Sequence, residues 1–95
     1  MGTRLEGTFD GKMNVSTVNT TNIVTYVRNP ETGLDFGTAP FTITEIAPND
    51  GKHFMFEYTE ELSGVNNYHI EFSRVKTDLN LEARIPSFVF GAPLL

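Results

Sequence analysis

Short runs in which every second side chain is apolar, cut by clusters of Gly, Pro, Asn and Asp, make up almost the whole chain. This period of two limits the fold more than any other feature. His53-Phe54-Met55-Phe56-Glu57-Tyr58 and Tyr68-His69-Ile70-Glu71-Phe72-Ser73 are the clearest runs. Each sets aromatic or aliphatic side chains on one face and mostly polar ones on the other, as a strand with one buried face must. Thr59 to Ser63 is the longest stretch open to a helical reading, and it is barely one turn. The fold class is therefore all-β.

The turn clusters divide the chain into about seven strands. Thr3 to Thr8 comes first. With Phe9-Asp10-Gly11 as a three-residue hairpin loop, Gly7 pairs with Met13 and Leu5 with Val15, in a second strand over Lys12 to Val18. Asn19-Thr20-Thr21-Asn22 turns the chain into a β-branched strand, Ile23 to Arg28. Asn29-Pro30-Glu31-Thr32-Gly33 is the strongest break, Leu34-Asp35-Phe36 reads as a short strand, and Gly37 to Pro40 breaks the chain again. Phe41 to Ile46 then turns through Pro48-Asn49-Asp50-Gly51 into Lys52 to Thr59, which sets Ile43 opposite Phe56 and Phe41 opposite Tyr58.

A symmetrical hairpin across Glu60–Asn67 pairs Tyr58 with Tyr68, Phe56 with Ile70 and Phe54 with Phe72. A last strand, Leu79 to Ile85, sets Phe72 against Leu81 and Ile70 against Ala83. The second half is thus expected to be a β-meander. The whole chain, 1–95, is expected to be a single β domain built as a small antiparallel barrel or a two-sheet sandwich.

Pro86 ends that last strand, and the tail 86–95 follows without a charged side chain. Phe88, Val89 and Phe90 are consecutive, so an extended chain cannot turn all three toward one core. Two expectations follow. Phe88 and Phe90 plug an open end of the barrel or sandwich, or Phe88, Val89, Phe90, Leu94 and Leu95 dock on a neighbouring subunit. A β protein of this size has edges to cover, and tail or strand exchange covers them.

Composition removes several function classes. The formal charge is -5 and the seven Lys and Arg are scattered, so nucleic acid is not an expected partner. There is no Cys, which excludes disulfides, thiolate metal sites and a Cys nucleophile. No apolar run approaches the roughly 20 residues of a membrane helix. If Met1 is the native start, the expected location is the cytoplasm. If a leader was removed, a secreted or periplasmic location is expected instead.

Catalytic signals are weak. Cross-strand register places Glu57 opposite His69 on the outer face, with Met55 opposite Glu71 and His53 opposite Ser73. A carboxylate orienting an imidazole is half of an acid–base device. The same pairing is also ordinary on a solvated sheet face. Neither His has metal-ligand spacing, no Ser has a nucleophile context, and Gly33 to Gly37 is no phosphate loop. No cofactor, metal or catalytic residue is assigned.

Tyr58 and Tyr68 flank the long Glu60–Asn67 loop beside Asn66 and Asn67. Aromatic rings near amides suit a small-molecule or carbohydrate ligand. The nine residues Leu5-Glu6-Gly7-Thr8-Phe9-Asp10-Gly11-Lys12-Met13 resemble the first hairpin of calycin-type barrels, with Phe9 where those barrels usually carry Trp. That resemblance implies an up-and-down barrel around a small ligand. The leading expectation is a non-catalytic binding or assembly module, a homo-oligomer joined through the tail or an edge strand. The alternative is a small-ligand barrel with its site near Tyr58, Asn66 and Tyr68.

Overall fold

A computed structural model describes residues 2–91. The described residues form seven strands: β1 (Arg4–Thr8), β2 (Ile23–Arg28), β3 (Asp35–Thr38), β4 (Phe41–Glu45), β5 (His53–Tyr58), β6 (Asn67–Phe72) and β7 (Phe88–Gly91). A single 3-10 turn, Val15–Thr17, is the one helical element among the described residues. Two antiparallel sheets form, ordered β1-β5-β4 and β3-β2-β6-β7. They stack as an all-β sandwich and not as a closed barrel.

Between the sheets lies the core predicted from the alternation. Phe54, Phe56, Tyr58 and Phe41 come from the three-stranded sheet, and Ile23, Ile70 and Tyr68 come from the four-stranded one, all buried. Fully burying a side chain of this size contributes about 1.5–3 kcal/mol before entropy is counted. Met13, Val18 and Val75 extend the core beyond the strands, with Val75 fully inaccessible.

The hairpin β4–β5 has the expected register, with Ile43 opposite Phe56 and Phe41 opposite Tyr58. Its loop is tight because Asn49 and Gly51 both adopt positive φ, 59° and 78°. The break at Asn29–Gly33 also holds: the Asn29 side chain accepts from the Glu31 amide at 2.8 Å, and Gly33 has φ 70°. The strand after it differs, because Gly37 and Thr38 belong to β3 instead of interrupting it.

The meander does not form. β5 lies between β1 and β4, and β6 lies between β2 and β7 in the other sheet, so the expected Tyr58–Tyr68, Phe56–Ile70 and Phe54–Phe72 strand pairs are absent. The physical reason is simple. Two strands with matching apolar faces satisfy the same pattern side by side or face to face, and here they meet across the sandwich.

Nor does the first hairpin form. β1 pairs with β5 through Leu5↔Phe56 and Gly7↔Phe54, so Gly7–Met13 and Leu5–Val15 are not partners. Local hydrogen bonds divert Lys12–Val18 from a ladder. The Asn14 carboxamide accepts from the Ser16 amide at 3.2 Å and hydroxyl at 2.8 Å. The Thr17 hydroxyl donates to the Asn14 carbonyl at 2.7 Å. Such side chains offer the backbone an alternative to the sheet. The up-and-down barrel implied by the calycin resemblance is overturned with this hairpin.

The expected strand Leu79–Ile85 is a loop. Asn80 adopts φ 64°, only an isolated bridge joins Lys76 to Glu82, and Leu79 and Leu81 are 76% and 64% exposed. Phe72–Leu81 and Ile70–Ala83 therefore do not pair. Both sides of β6 are already occupied, by β2 and by β7. Phe88, Val89 and Phe90 form that last strand, whereas Leu94 and Leu95 lie outside the described residues.

Candidate functional site

The chain crosses from one sheet to the other between β3 and β4, through Ala39 and Pro40, and this closes one side of the sandwich. The opposite side is open. There the four-stranded sheet ends in β7 and the three-stranded sheet ends in β1, and a cleft of about 410 Å³ runs between them.

Its lining is almost wholly apolar. Leu5 and Gly7 come from β1, Phe56 from β5, Ile70 and Phe72 from β6, and Phe88 and Phe90 from β7. The aromatic rings form a connected row. Tyr68 stacks on Phe90 at 5.7 Å between centroids, Phe90 meets Phe88 at 6.2 Å, and Phe88 meets Phe72 at 6.0 Å. Gly7 widens the β1 wall by what it lacks: a Cβ there would reach only Phe56 Cε1, at 3.8 Å.

Backbone phase gives the cleft polar rims. The Tyr58 amide donates to the Thr3 carbonyl and the Phe9 amide to the Lys52 carbonyl, which sets the bonded positions of β1 at Leu5 and Gly7. Bonded and non-bonded pairs alternate in an antiparallel ladder. Glu6 and Thr8 thus turn their backbone groups to the open side. On the other sheet, the Ser73 amide donates to the Asn22 carbonyl, so Asn67, His69 and Glu71 bond to β2 and leave Tyr68 and Ile70 for β7. Phe88 and Phe90 therefore bond to β6, and Val89 and Gly91 turn outward. Phe88 is 50% and Val89 43% exposed.

Tyr58, Asn66 and Tyr68 line a second hollow, about 310 Å³, with Phe36, Glu60 and Glu61 at its rim. Both tyrosine rings are buried. The Tyr58 hydroxyl bonds to Thr25 Oγ1 at 2.9 Å, and Tyr68 Oη accepts from the Ser63 amide at 2.7 Å. Burial pushes the Tyr58 phenol above its ordinary pKa. Asn67 is not part of this hollow; it sits in β6 opposite Arg28 and Gly91.

Glu57 and His69 are not partners. They occupy different sheets, and Glu57 bonds instead to Arg4, Oε2 to Nε at 2.8 Å. Met55 faces Glu6 and Thr44, His53 faces Thr8, and Glu71 faces Val24, because the β5–β6 pairing that would have joined them is absent.

His69 belongs to a cluster that the sequence reading missed. Its Nδ1 lies 3.1 Å from Asp35 Oδ2 and 3.0 Å from Arg28 Nη2, while Arg28 Nε donates to Asp35 Oδ1 at 2.8 Å. Its Nε2 lies 3.5 Å from Glu71 Oε1. The Arg28 guanidinium, and then His69, hold the Asp35 carboxyl below its ordinary pKa. A usable signal existed: closing β2 and β3 around Asn29–Gly33 puts Arg28 opposite Asp35. The cluster lies on the outer face of its sheet and joins three strands. Among the described residues, no group of three or more His, Cys, Asp or Glu is disposed to hold a metal ion. Among the same residues, no helix is long and apolar enough to cross a membrane.

Comparison with protein-family models, with curated proteins and with solved structures gave no match.

Proposed function

We propose that this chain is a non-catalytic assembly module that associates with further copies of itself through the open β1/β7 side of its sandwich. One observation carries the reading: an apolar cleft of about 410 Å³ bounded on both rims by strand edges whose backbone groups point outward. Unpaired edges beside exposed aromatic surface favour pairing with another chain. Apolar side chains dominate the cleft, with Glu6 and Thr8 of β1 as its polar members, and such a lining suits association. Static light scattering on the full chain and on a version truncated after Pro86 tests this. A defined oligomer that dissociates on truncation supports the reading, and a full-length monomer at every concentration overturns it.

The hollow beside Tyr58, Asn66 and Tyr68 supports a second reading, a small-molecule or carbohydrate site, because all three residues line it. It ranks below assembly because both rings are buried and both hydroxyls already have protein partners. Titration with simple monosaccharides, followed by the Asn66 side-chain amide resonance, tests it. Unmoved resonances at millimolar sugar overturn it for that ligand class.

A further inference from the structure

We infer that the occupant of the open side is a second copy of the chain, joined edge to edge through β7 in antiparallel fashion about a two-fold axis. This rests on the assembly reading and names its seam and symmetry.

The four sheet edges are not equivalent. β1 carries Arg4 and Glu6, and β4 ends in Glu45. β3 carries Asp35 and is offset by a register shift between Val27 and Arg28 of its neighbour. Charge, proline and irregular register are the usual protections of a free edge. β7, Phe88-Val89-Phe90-Gly91, has none of them along its length.

Charge also selects a like partner at this edge. A chain of net charge -5 carries a net repulsion against its own copy. β7 is uncharged, so two copies can approach there without setting carboxylates against each other. An isologous contact requires one patch to complement itself, and antiparallel pairing of a strand with its own copy meets that condition.

The geometry is favourable on both faces. Val89 and Gly91 turn their amides and carbonyls away from β6, so each copy offers donors and acceptors at alternate positions. Phe88 and Phe90 share the inner face, above the cleft. Pairing β7 with β7 makes one eight-stranded sheet from two four-stranded ones. It brings both copies' phenylalanines together as a roof over the two clefts, covering the half-exposed Phe88.

The test uses proline, which removes an amide donor and is tolerated on edge strands. Val89→Pro deletes an outward donor and leaves the β6–β7 hydrogen bonds in place. Thr8→Pro does the same on the β1 edge and is the control. Sedimentation should give a dimer for the unaltered chain and for Thr8→Pro, and a monomer for Val89→Pro. In the unaltered chain, exchange of the Val89 and Gly91 amides with deuterium should slow as protein concentration rises.

A Val89→Pro protein that remains dimeric overturns the β7 seam and leaves the assembly reading standing. A Thr8→Pro monomer beside a Val89→Pro dimer overturns it in favour of the β1 edge. An unaltered chain that is monomeric overturns both readings. Should Val89→Pro fail to fold by circular dichroism, the exchange measurement decides: Val89 and Gly91 rates independent of concentration overturn the pairing.

Discussion

Thr25 Oγ1 and Tyr58 Oη lie 2.9 Å apart, a buried hydrogen bond that ties β2 of one sheet to β5 of the other. Both residues are 1% exposed. Thr25→Val would leave the phenol buried without its partner, at a cost of about 1–3 kcal/mol in urea unfolding. Tyr58→Phe removes the other member of the pair. The double variant should cost less than the sum of the two, because neither oxygen is then stranded.

The same burial predicts alkaline sensitivity. The Tyr58 pKa is raised above 10.0 in the fold by desolvation. A group raised in this way contributes stability below its unfolded pKa and loses it as pH climbs through the folded value. Stability should fall above pH 10, with Tyr58 ionising together with unfolding in an ultraviolet titration. In Tyr58→Phe that component of the alkaline loss should vanish.

Asp35 predicts the opposite limb. Its pKa is lowered from 3.8, first by the Arg28 hydrogen bond and then by His69. The contribution is present above the unfolded value and is lost as pH falls through the folded one. Asp35→Asn should flatten the acid dependence of the midpoint below pH 3.8. Amide exchange should show β3, the strand Arg28 anchors, loosening first.

Gly51 and Gly33 share a positive φ, 78° and 70°, but not their surroundings. A Cβ at Gly51 would sit 2.8 Å from Lys12 Cγ and 3.2 Å from the Met13 carbonyl, whereas at Gly33 it would meet open space. Gly33→Ala should cost about 1–2 kcal/mol, the left-handed penalty alone. Gly51→Ala should cost more, and the difference between the two midpoints measures the crowding.

Leucine 79 separates pattern from packing. It continues the alternation toward Ile85, yet it is 76% exposed, while Phe54 is 1% exposed. Leu79→Ala should shift stability by no more than about 0.5 kcal/mol. Phe54→Ala should cost about 3–5 kcal/mol in the same denaturation experiment.

These contrasts show where the sequence was informative. The four-residue turn Pro48–Gly51 leaves β4 and β5 little choice of register, so Phe41 opposite Tyr58 could be counted from the chain. Ile23–Arg28 was equally plain, being β-branched and bounded by polar turns. Sheet membership was not legible. Phe56 and Ile70 face one core whether their strands are neighbours or opposed, and alternation is silent between the two. Asn14 hid the loss of a strand because its capping is a local competition that no apolar count records.

The candidate site divides the same way. The uncharged run Phe88-Val89-Phe90 stood out in the sequence as surface needing cover. Its facing wall, Leu5 and Gly7, was invisible until β1 was placed beside β5. His69 was visible, but its partner Asp35 comes from β3, which touches neither His69's own hairpin in sequence nor β6 in the sheet.

β1 makes its ladder with β5, and the Arg4–Glu57 contact spans 53 positions of chain. On a ribosome β1 is made before β5 and lacks this partner strand until Tyr58 has emerged. For that interval Leu5 and Phe9 travel as uncovered apolar side chains on an unpartnered edge. Closing so long a loop carries an entropy cost that must be met before the contact rewards it. β1 is thus made well before the strand that secures it, and the synthesis time of the residues between Thr8 and His53 sets how long its apolar face stays open to wrong partners.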